Sequence, residues 1–331
     1  MKPRIAITIG DYNGIGPEVV LKSLPAIRRH MTPVLVGPEQ AWSAWSRRLT
    51  LPDPSTWTRR GGQALDIIDP GPGNGVRIRP GTIDRVAGLA AAASVETAVL
   101  LAEGGTVDAI VTAPLSKRCL HLAGVQVPGQ TEFLQELTGA PLVAMMLVHG
   151  SFRVGLVTIH EPLRDVAGLI TKRTIVDRIG VLAAALRIDW GIPRPRIAVL
   201  GLNPHAGEDG DLGQEEKAVI IPALAWLRKR RVDVRGPFPA DAFFARGMQR
   251  TFDLVVAMYH DQGLIPLKAA ARGRGVNVTA GLPIVRTSPD HGTAFDIAGR
   301  GVAEPASMVA AIRLAGHLWA QRVRFTGRTG R

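Results

Sequence analysis

A single cysteine, Cys119, stands in the 331 residues, so no intramolecular disulfide can form. With no Cys-His signature beside it, Cys119 reads as a semi-buried thiol on a helix and not as a nucleophile. Aromatic residues make up only 5% of the chain, and acidic residues are in deficit, 28 against 40 lysines and arginines, for a net charge of +12. That balance fits either a nucleic-acid partner or simply an anionic substrate. The basic residues are scattered, and their one dense run, 228–231 (RKRR), follows a helical pattern at 220–227, where cations suit a helix C-terminus. With few aromatics and no nucleic-acid motif, no such partner is expected. No apolar run approaches the ~18 to 20 residues that span a bilayer. The chain enters a strand pattern at Ile5 and leaves no room for a signal peptide. No membrane is therefore expected, and the cytoplasm is the default location. Internal repeats, low-complexity segments and the G-x-G-x-x-G spacing are absent too.

What is present is size and alternation. Hydrophobic content of 46% supports one large α/β unit or two lobes with an ample core. Residues 5–9 read as a strand, 10–16 as a glycine turn, and Pro17 as the start of a helix, where its missing N–H costs nothing. Glu18 faces the positive end of that helix, and such a strand, turn and helix N-terminus can hold an anion. Strands follow at 31–36 and 107–112, with a long helix at 83–103 stopped by Gly104 and Gly105. Residues 70–75 (PGPGNG) read as a surface loop. Residues 129–134 begin a helix with Thr131 as its cap. Residues 144–148 and 153–159 read as a hairpin, with His149 a turn residue. Residues 239–244 lead into a short helix capped by Asp241. Residues 290–294 begin another, 304–318 form the last, and the tail from 324 is frayed. The alternation predicts an α/β fold with a mainly parallel, doubly wound sheet.

Three apolar runs share one design. Residues 154–159 lead into His160, 197–202 lead through Asn203 and Pro204 into His205, and 254–258 lead through Tyr259 into His260. Short apolar runs bounded by polar residues read as buried strands, and ligands collect outside the carboxyl ends of such strands. Alone, each histidine reads as a satisfied polar residue. Together they can gather at one rim and offer three nitrogens to a divalent metal, most simply zinc, with a fourth position open. Lys268, Asn277 and Arg286 follow, and singly they read as solvated loop residues. As a set they supply a point charge and a bidentate fork for phosphate or carboxylate.

The blocks ITIGDYNGIGPEV, VTAPLSK, GQTEFL, LNPHAGEDG, YHDQGLIPLK and VNVTAGLPIVRTSPDHGTAFDIAG occur in order from residue 5 to about residue 310. They closely resemble the 4-hydroxythreonine-4-phosphate dehydrogenase (PdxA) family of pyridoxal phosphate biosynthesis. The resemblance implies a two-lobed fold like that of isocitrate and isopropylmalate dehydrogenases. Residues 1–127 with 292–331 would form one lobe and 128–291 the other, with the active site in the cleft. It implies that 4-phosphooxy-L-threonine is oxidised to 2-amino-3-oxo-4-phosphooxybutanoate, which loses CO2 to give 3-amino-2-oxopropyl phosphate. NAD, or NADP, would accept the hydride. A metal on His160, His205 and His260 (zinc, or magnesium, cobalt or manganese) would act as Lewis acid. Gln130, Thr131, Lys268, Asn277, Arg286 and Asp241 would contact substrate. Asn203 and the 207–213 loop, with Gly207, Glu208 and Gly213, would contact the nucleotide. The metal site would be completed across a homodimer. The proton acceptor stays open between Lys268 and water. One departure stands out, because the family usually has His where this chain has Gln130, which cannot carry a proton charge near neutral pH. That motivates a second reading, oxidation of another hydroxy acid such as a phospho-threonate, a phospho-erythronate or a non-phosphorylated diol acid. From other classes come a non-catalytic binder of anionic metabolites and a metal hydrolase.

Overall fold

The computed structural model describes residues 2–56, 65–71 and 76–327. Residues 72–75 of the expected surface loop and the last four residues of the tail lie outside them. The chain divides into two compact units, Met1–Ala140 with Leu282–Ala320, and Pro141–Gly281 with Gln321–Arg331. Gln130, Thr131 and Arg286 thus belong to the first unit, and the three histidines to the second.

In the first unit the chain alternates as the sequence predicts. It runs through β1 (Arg4–Thr8), α1 (Gly16–Ile27), β2 (Thr32–Val36), α2 (Glu39–Arg48), β3 (Asp66–Ile68), α3 (Arg85–Glu103), β4 (Ala109–Val111), α4 (Lys117–Leu122) and α5 (Gln130–Thr138). The strands β1, β2 and β4 are short, largely apolar and lose water from both faces, as strands of a parallel sheet do, while β3 is only half-buried. Asp84 caps α3 by accepting from the N–H groups of Val86 and Ala87. By length and composition α3 could cross a membrane, contrary to the expectation that no stretch would, but half of it is buried within the unit. Its alanines Ala87, Ala90, Ala91 and Ala98 are core residues. Cys119 is buried in α4, whose cap is Ser116.

The second unit begins with an antiparallel hairpin, β5 (Ala144–His149) and β6 (Phe152–Leu156). It continues through α6 (Leu163–Leu169), α7 (Lys172–Asp189), β7 (Ile197–Leu200), α8 (Ile221–Lys229), β8 (Val234–Phe238), α9 (Ala240–Ala245), β9 (Leu254–Ala257), α10 (His260–Ala271) and β10 (Val276–Ala280). The strand order is β10-β5-β6-β9-β7-β8, parallel from β6 to β8 and antiparallel across β10, β5 and β6. The scarce aromatics concentrate here, where Phe238, Phe243, Phe244 and Phe252 stack on one another and Phe152 joins through Phe244. Gly263 lets α10 lie directly on the sheet, since a Cβ there would meet Val154 and Ala257.

The chain then returns to the first unit with β11 (Arg286–Pro289), which gives the parallel order β3-β2-β1-β4-β11. It ends in α11 (Ala306–Thr326). Five expectations need correction, the first being that His149 is not a turn residue but the last residue of β5, paired with Phe152. No helix begins at 290–294, because the Thr293 carbonyl accepts from the N–H of Ile15 at 2.9 Å and Ala294 takes φ +40°, so the segment runs as turns. Thr131 and Asp241 are not caps, since Gly129 and Pro239 hold those positions without a side-chain bond. Lys268, Asn277 and Arg286 are not loop residues but lie on α10, β10 and β11. The last helix runs eight residues past Leu318, to Thr326.

Candidate functional site

In the second unit, β6, β9 and β7 are adjacent and parallel, so their carboxyl ends open on the same side. Beyond the strands proper, Val157 and Thr158 still pair with the carbonyls of Ala257 and Met258, and the Thr158 hydroxyl also donates to Met258 at 2.7 Å. His160 and His260 each follow two residues after this last rung. Their ring centroids lie 5.6 Å apart. The Nδ1 of His260 is 2.7 Å from Asp261 Oδ1, an arrangement that fixes the ring and leaves Nε2 as its other nitrogen. Two imidazoles, one oriented by a carboxylate, fit part of the coordination shell of a divalent metal. Among the described residues, no group of three or more His, Cys, Asp or Glu side chains is arranged to hold a metal ion.

His205 follows β7 on a turn of unusual backbone. From His205 to Asp209 five consecutive residues have positive φ, between 39° and 80°. Four of these carry a Cβ and strain the turn by about 1 kcal/mol each. Glu216, 2% exposed, holds this turn in place. Its Oε1 accepts from the N–H groups of Leu202 (2.7 Å) and Asn203 (2.8 Å), and its Oε2 accepts from the Asn203 amide (2.9 Å). That amide also donates to Glu215 at 2.7 Å, which holds the Glu215 carboxyl below its ordinary range. Both N–H bonds of the Asn203 amide are therefore committed within the loop. Gly207 and Gly213 are required by space and by φ (+80° and +112°), for a Cβ on Gly207 would sit 2.7 Å from Glu216 Oε2 and one on Gly213 would strike Asn203. Glu208 is exposed. Gln262 ties the ends of β7 and β9 together, accepting from Met258 N–H at 2.7 Å and donating to the Gly201 carbonyl at 2.6 Å.

Farther along the second unit, Lys268 is exposed on α10 and Asp241 is exposed on α9. Asn277 on β10 has a buried Oδ1 with no hydrogen-bond partner. An unsatisfied buried acceptor is costly and marks a place where a donor from a ligand would fit.

The first unit holds the other expected residues. Arg286 opens β11 and is 1% exposed. Its Nε and Nη2 donate to the Thr112 hydroxyl at 3.0 and 2.7 Å, and Nη2 also donates to the carbonyl oxygen of Gln130. Burial pushes the guanidinium down to about 9, still far enough above neutrality to remain cationic. Gln130 and the buried Thr131 form the first turn of α5, whose free N–H groups add positive potential beside this cation. A buried arginine at a helix N-terminus is an anion receptor.

Sequence reasoning did not single out Thr112, Glu216, Asp261 or Gln262. The last two stand inside YHDQ, directly after a proposed ligand, which is the signal that could have found them. Nothing local marks Thr112 or Glu216, whose partners lie 174 and 13 or 14 residues away.

Comparison with known proteins gives one consistent result. Residues 29–315 match the model of the pyridoxal phosphate biosynthetic protein PdxA family. A 4-hydroxythreonine-4-phosphate dehydrogenase of Maricaulis maris is 45% identical over 326 residues, 94% of this chain and 96% of that protein. A D-threonate 4-phosphate dehydrogenase of Cupriavidus necator is 44% identical over 338 residues, 97% of this chain and 98% of that protein. The crystal structure of a 4-hydroxythreonine-4-phosphate dehydrogenase from Klebsiella pneumoniae superimposes with a TM-score of 0.85 at 42% identity, covering 96% of this chain and 98% of that one.

Proposed function

The chain belongs to the PdxA family of pyridoxal phosphate biosynthetic proteins and is an oxidoreductase, and we propose that it oxidises 4-phosphooxy-L-threonine with NAD in the cytoplasm. The product, 2-amino-3-oxo-4-phosphooxybutanoate, is a β-keto acid. It loses CO2 because its carbonyl can take up the electron pair left by the carboxylate, which gives 3-amino-2-oxopropyl phosphate. The observation that carries this reading is the His160–His260 ring pair at the carboxyl ends of β6 and β9, with His260 oriented by Asp261. His160 and His260, with His205 from a second copy of the chain, are the residues that would hold a divalent ion, zinc first. When bound, that ion supplies Lewis acidity toward the substrate hydroxyl, and NAD supplies the hydride acceptor.

The remaining work belongs to side chains that bind and orient. Arg286 offers its fork to a carboxylate or phosphate, Lys268 a point charge, Asn277 its buried amide, and Thr131 its hydroxyl at the start of α5. Asp241 is assigned to the amino end of the substrate. The strained turn with Asn203, Gly207, Glu208 and Gly213 is assigned to the nucleotide.

A second reading is oxidation of another phosphorylated hydroxy acid, favoured by Gln130 at the anion receptor and by the likeness to the C. necator dehydrogenase. Initial rates of NADH formation with 4-phosphooxy-L-threonine and with D-threonate 4-phosphate separate the two. A kcat/KM at least about tenfold higher for the amino acid supports the first reading, and the reverse order replaces it with the second.

A further inference from the structure

Glu216 opens a single π turn, 216–220, just ahead of α8, and such local widenings of a helix occur mostly at functional sites. Both of its carboxyl oxygens accept. Oε1 takes the N–H groups of Leu202 and Asn203 as the chain leaves β7, and Oε2 takes the Asn203 amide. Only a carboxylate meets all three donors, because an amide would turn one acceptor into a donor. The packing is equally close. A Cβ on Gly201 would sit 2.8 Å from Ala206 Cα and 3.1 Å from Glu216 Oε1, and one on Gly207 would sit 2.7 Å from Oε2. Glu216 thus borders the turn on both sides of His205, at 202–203 and at 207. Gln262 fixes the start of the same turn to the segment after β9, through the Gly201 carbonyl and the Met258 N–H. His205 itself is exposed and takes φ +53°, an angle that a histidine keeps only where its surroundings impose it.

We propose that Glu216 is a positioning residue whose buried carboxylate fixes the 205–209 turn and so the place of the His205 imidazole beyond β7. It acts through His205 and touches neither metal nor substrate. The residue type follows from this role. Glutamine would keep an oxygen for the two backbone N–H groups but set its own N–H groups against the Asn203 amide. Aspartate would keep both oxygens but fall one methylene short of the turn. The inference deepens the proposed reading, on which it rests for His205 as a metal ligand.

A cycle of variants with two readouts tests it. Zinc affinity of the metal-free chain, measured by competition with a chelator, is compared in wild type, Glu216→Gln, His205→Ala and the double variant. E216Q is expected to stay folded and to bind zinc about tenfold more weakly. The double variant is expected to bind no more weakly than H205A, because without the imidazole nothing is left to position. A merely structural role would instead add its loss to that of H205A. The second readout is amide hydrogen exchange at 205–209, expected to be faster in E216Q while β6 and β9 keep wild-type rates. Wild-type zinc affinity in a folded E216Q overturns the proposal, as do losses that add in full or unchanged exchange at 205–209. If E216Q does not fold, Glu216→Asp takes its place in the cycle with the same expectations. If H205A binds zinc as the wild type does, His205 is no ligand and the proposed metal site is wrong, while the exchange rates still decide whether Glu216 holds the turn.

Discussion

Asp261 carries little of the fold, with a side chain 69% exposed, yet it touches His260 Nδ1 at 2.7 Å. Removing such an outer partner loosens the ring without disturbing the core. Asp261→Ala is expected to weaken metal affinity about 10- to 100-fold with little change in Tm, measured by competition with a chelator. Asp11 presents the opposite case. Burial raises its carboxyl pKa above the ordinary value, although the Asn13 N–H and the Cys119 thiol pull it down. The folded state therefore keeps a proton that the unfolded chain releases. The stability tied to that proton is complete below the unfolded pKa and is lost as pH rises through the raised folded one. Asp11→Asn preserves an oxygen for the Asn13 N–H at 2.9 Å. It is expected to flatten the fall in Tm as pH rises above the ordinary carboxylate range, and an unchanged slope contradicts this assignment. At this scale the sequence named residues better than it named their work. Arg286 was legible only as a basic residue, because its burial depends on β4 and α5, 174 and 156 residues away.

Among elements, the strands and long helices were readable because their periodicity and stop signals are local, as at α3 with Asp84 before it and Gly104 after it. The turn after β7 was not, because the sequence LNPHAGEDG has no pattern that predicts four non-glycine residues with positive φ. Only a tertiary partner stabilises that conformation, and Glu216 supplies it. Glu216→Ala leaves two backbone N–H groups without this acceptor and is expected to destabilise the unit by roughly 2–4 kcal/mol. Gly207→Ala brings a methyl against Glu216 at an unfavourable φ and is expected to cost roughly 1–3 kcal/mol. Urea denaturation checks both values, and a wild-type midpoint in either variant means that the turn is not held as described. The helix expected at 290–294 failed for a similar reason. Its Thr293 carbonyl serves the start of α1, a contact between segments almost 280 residues apart.

At the scale of the whole molecule, composition and alternation were enough for a mainly parallel α/β fold, while the boundaries between units fall at Gly139–Ala140–Pro141 and Gly281–Leu282–Pro283, glycine–proline punctuation too common in this chain to stand out. Among the described residues only two of the three proposed metal ligands are shown together, which leads to a prediction about assembly. The protein is expected to run at twice its 35.3 kDa chain mass, with His205 completing the site of the other copy. His205→Ala and His260→Ala homodimers are then both inactive. Mixed dimers formed by refolding the two together regain one intact site each. Activity returns to about a quarter of wild type, since half the dimers are mixed and half of their sites are whole. No recovery means that each site is built within one chain.

The most direct test of the central claim is NADH absorbance with 4-phosphooxy-L-threonine and NAD, before and after chelation and on adding back zinc or magnesium. Turnover that chelation abolishes and metal restores, and that His260→Ala lacks at every metal concentration, is the predicted result. Undiminished turnover in the chelated enzyme, or in His260→Ala, contradicts a reaction that depends on the histidines at the ends of β6, β7 and β9.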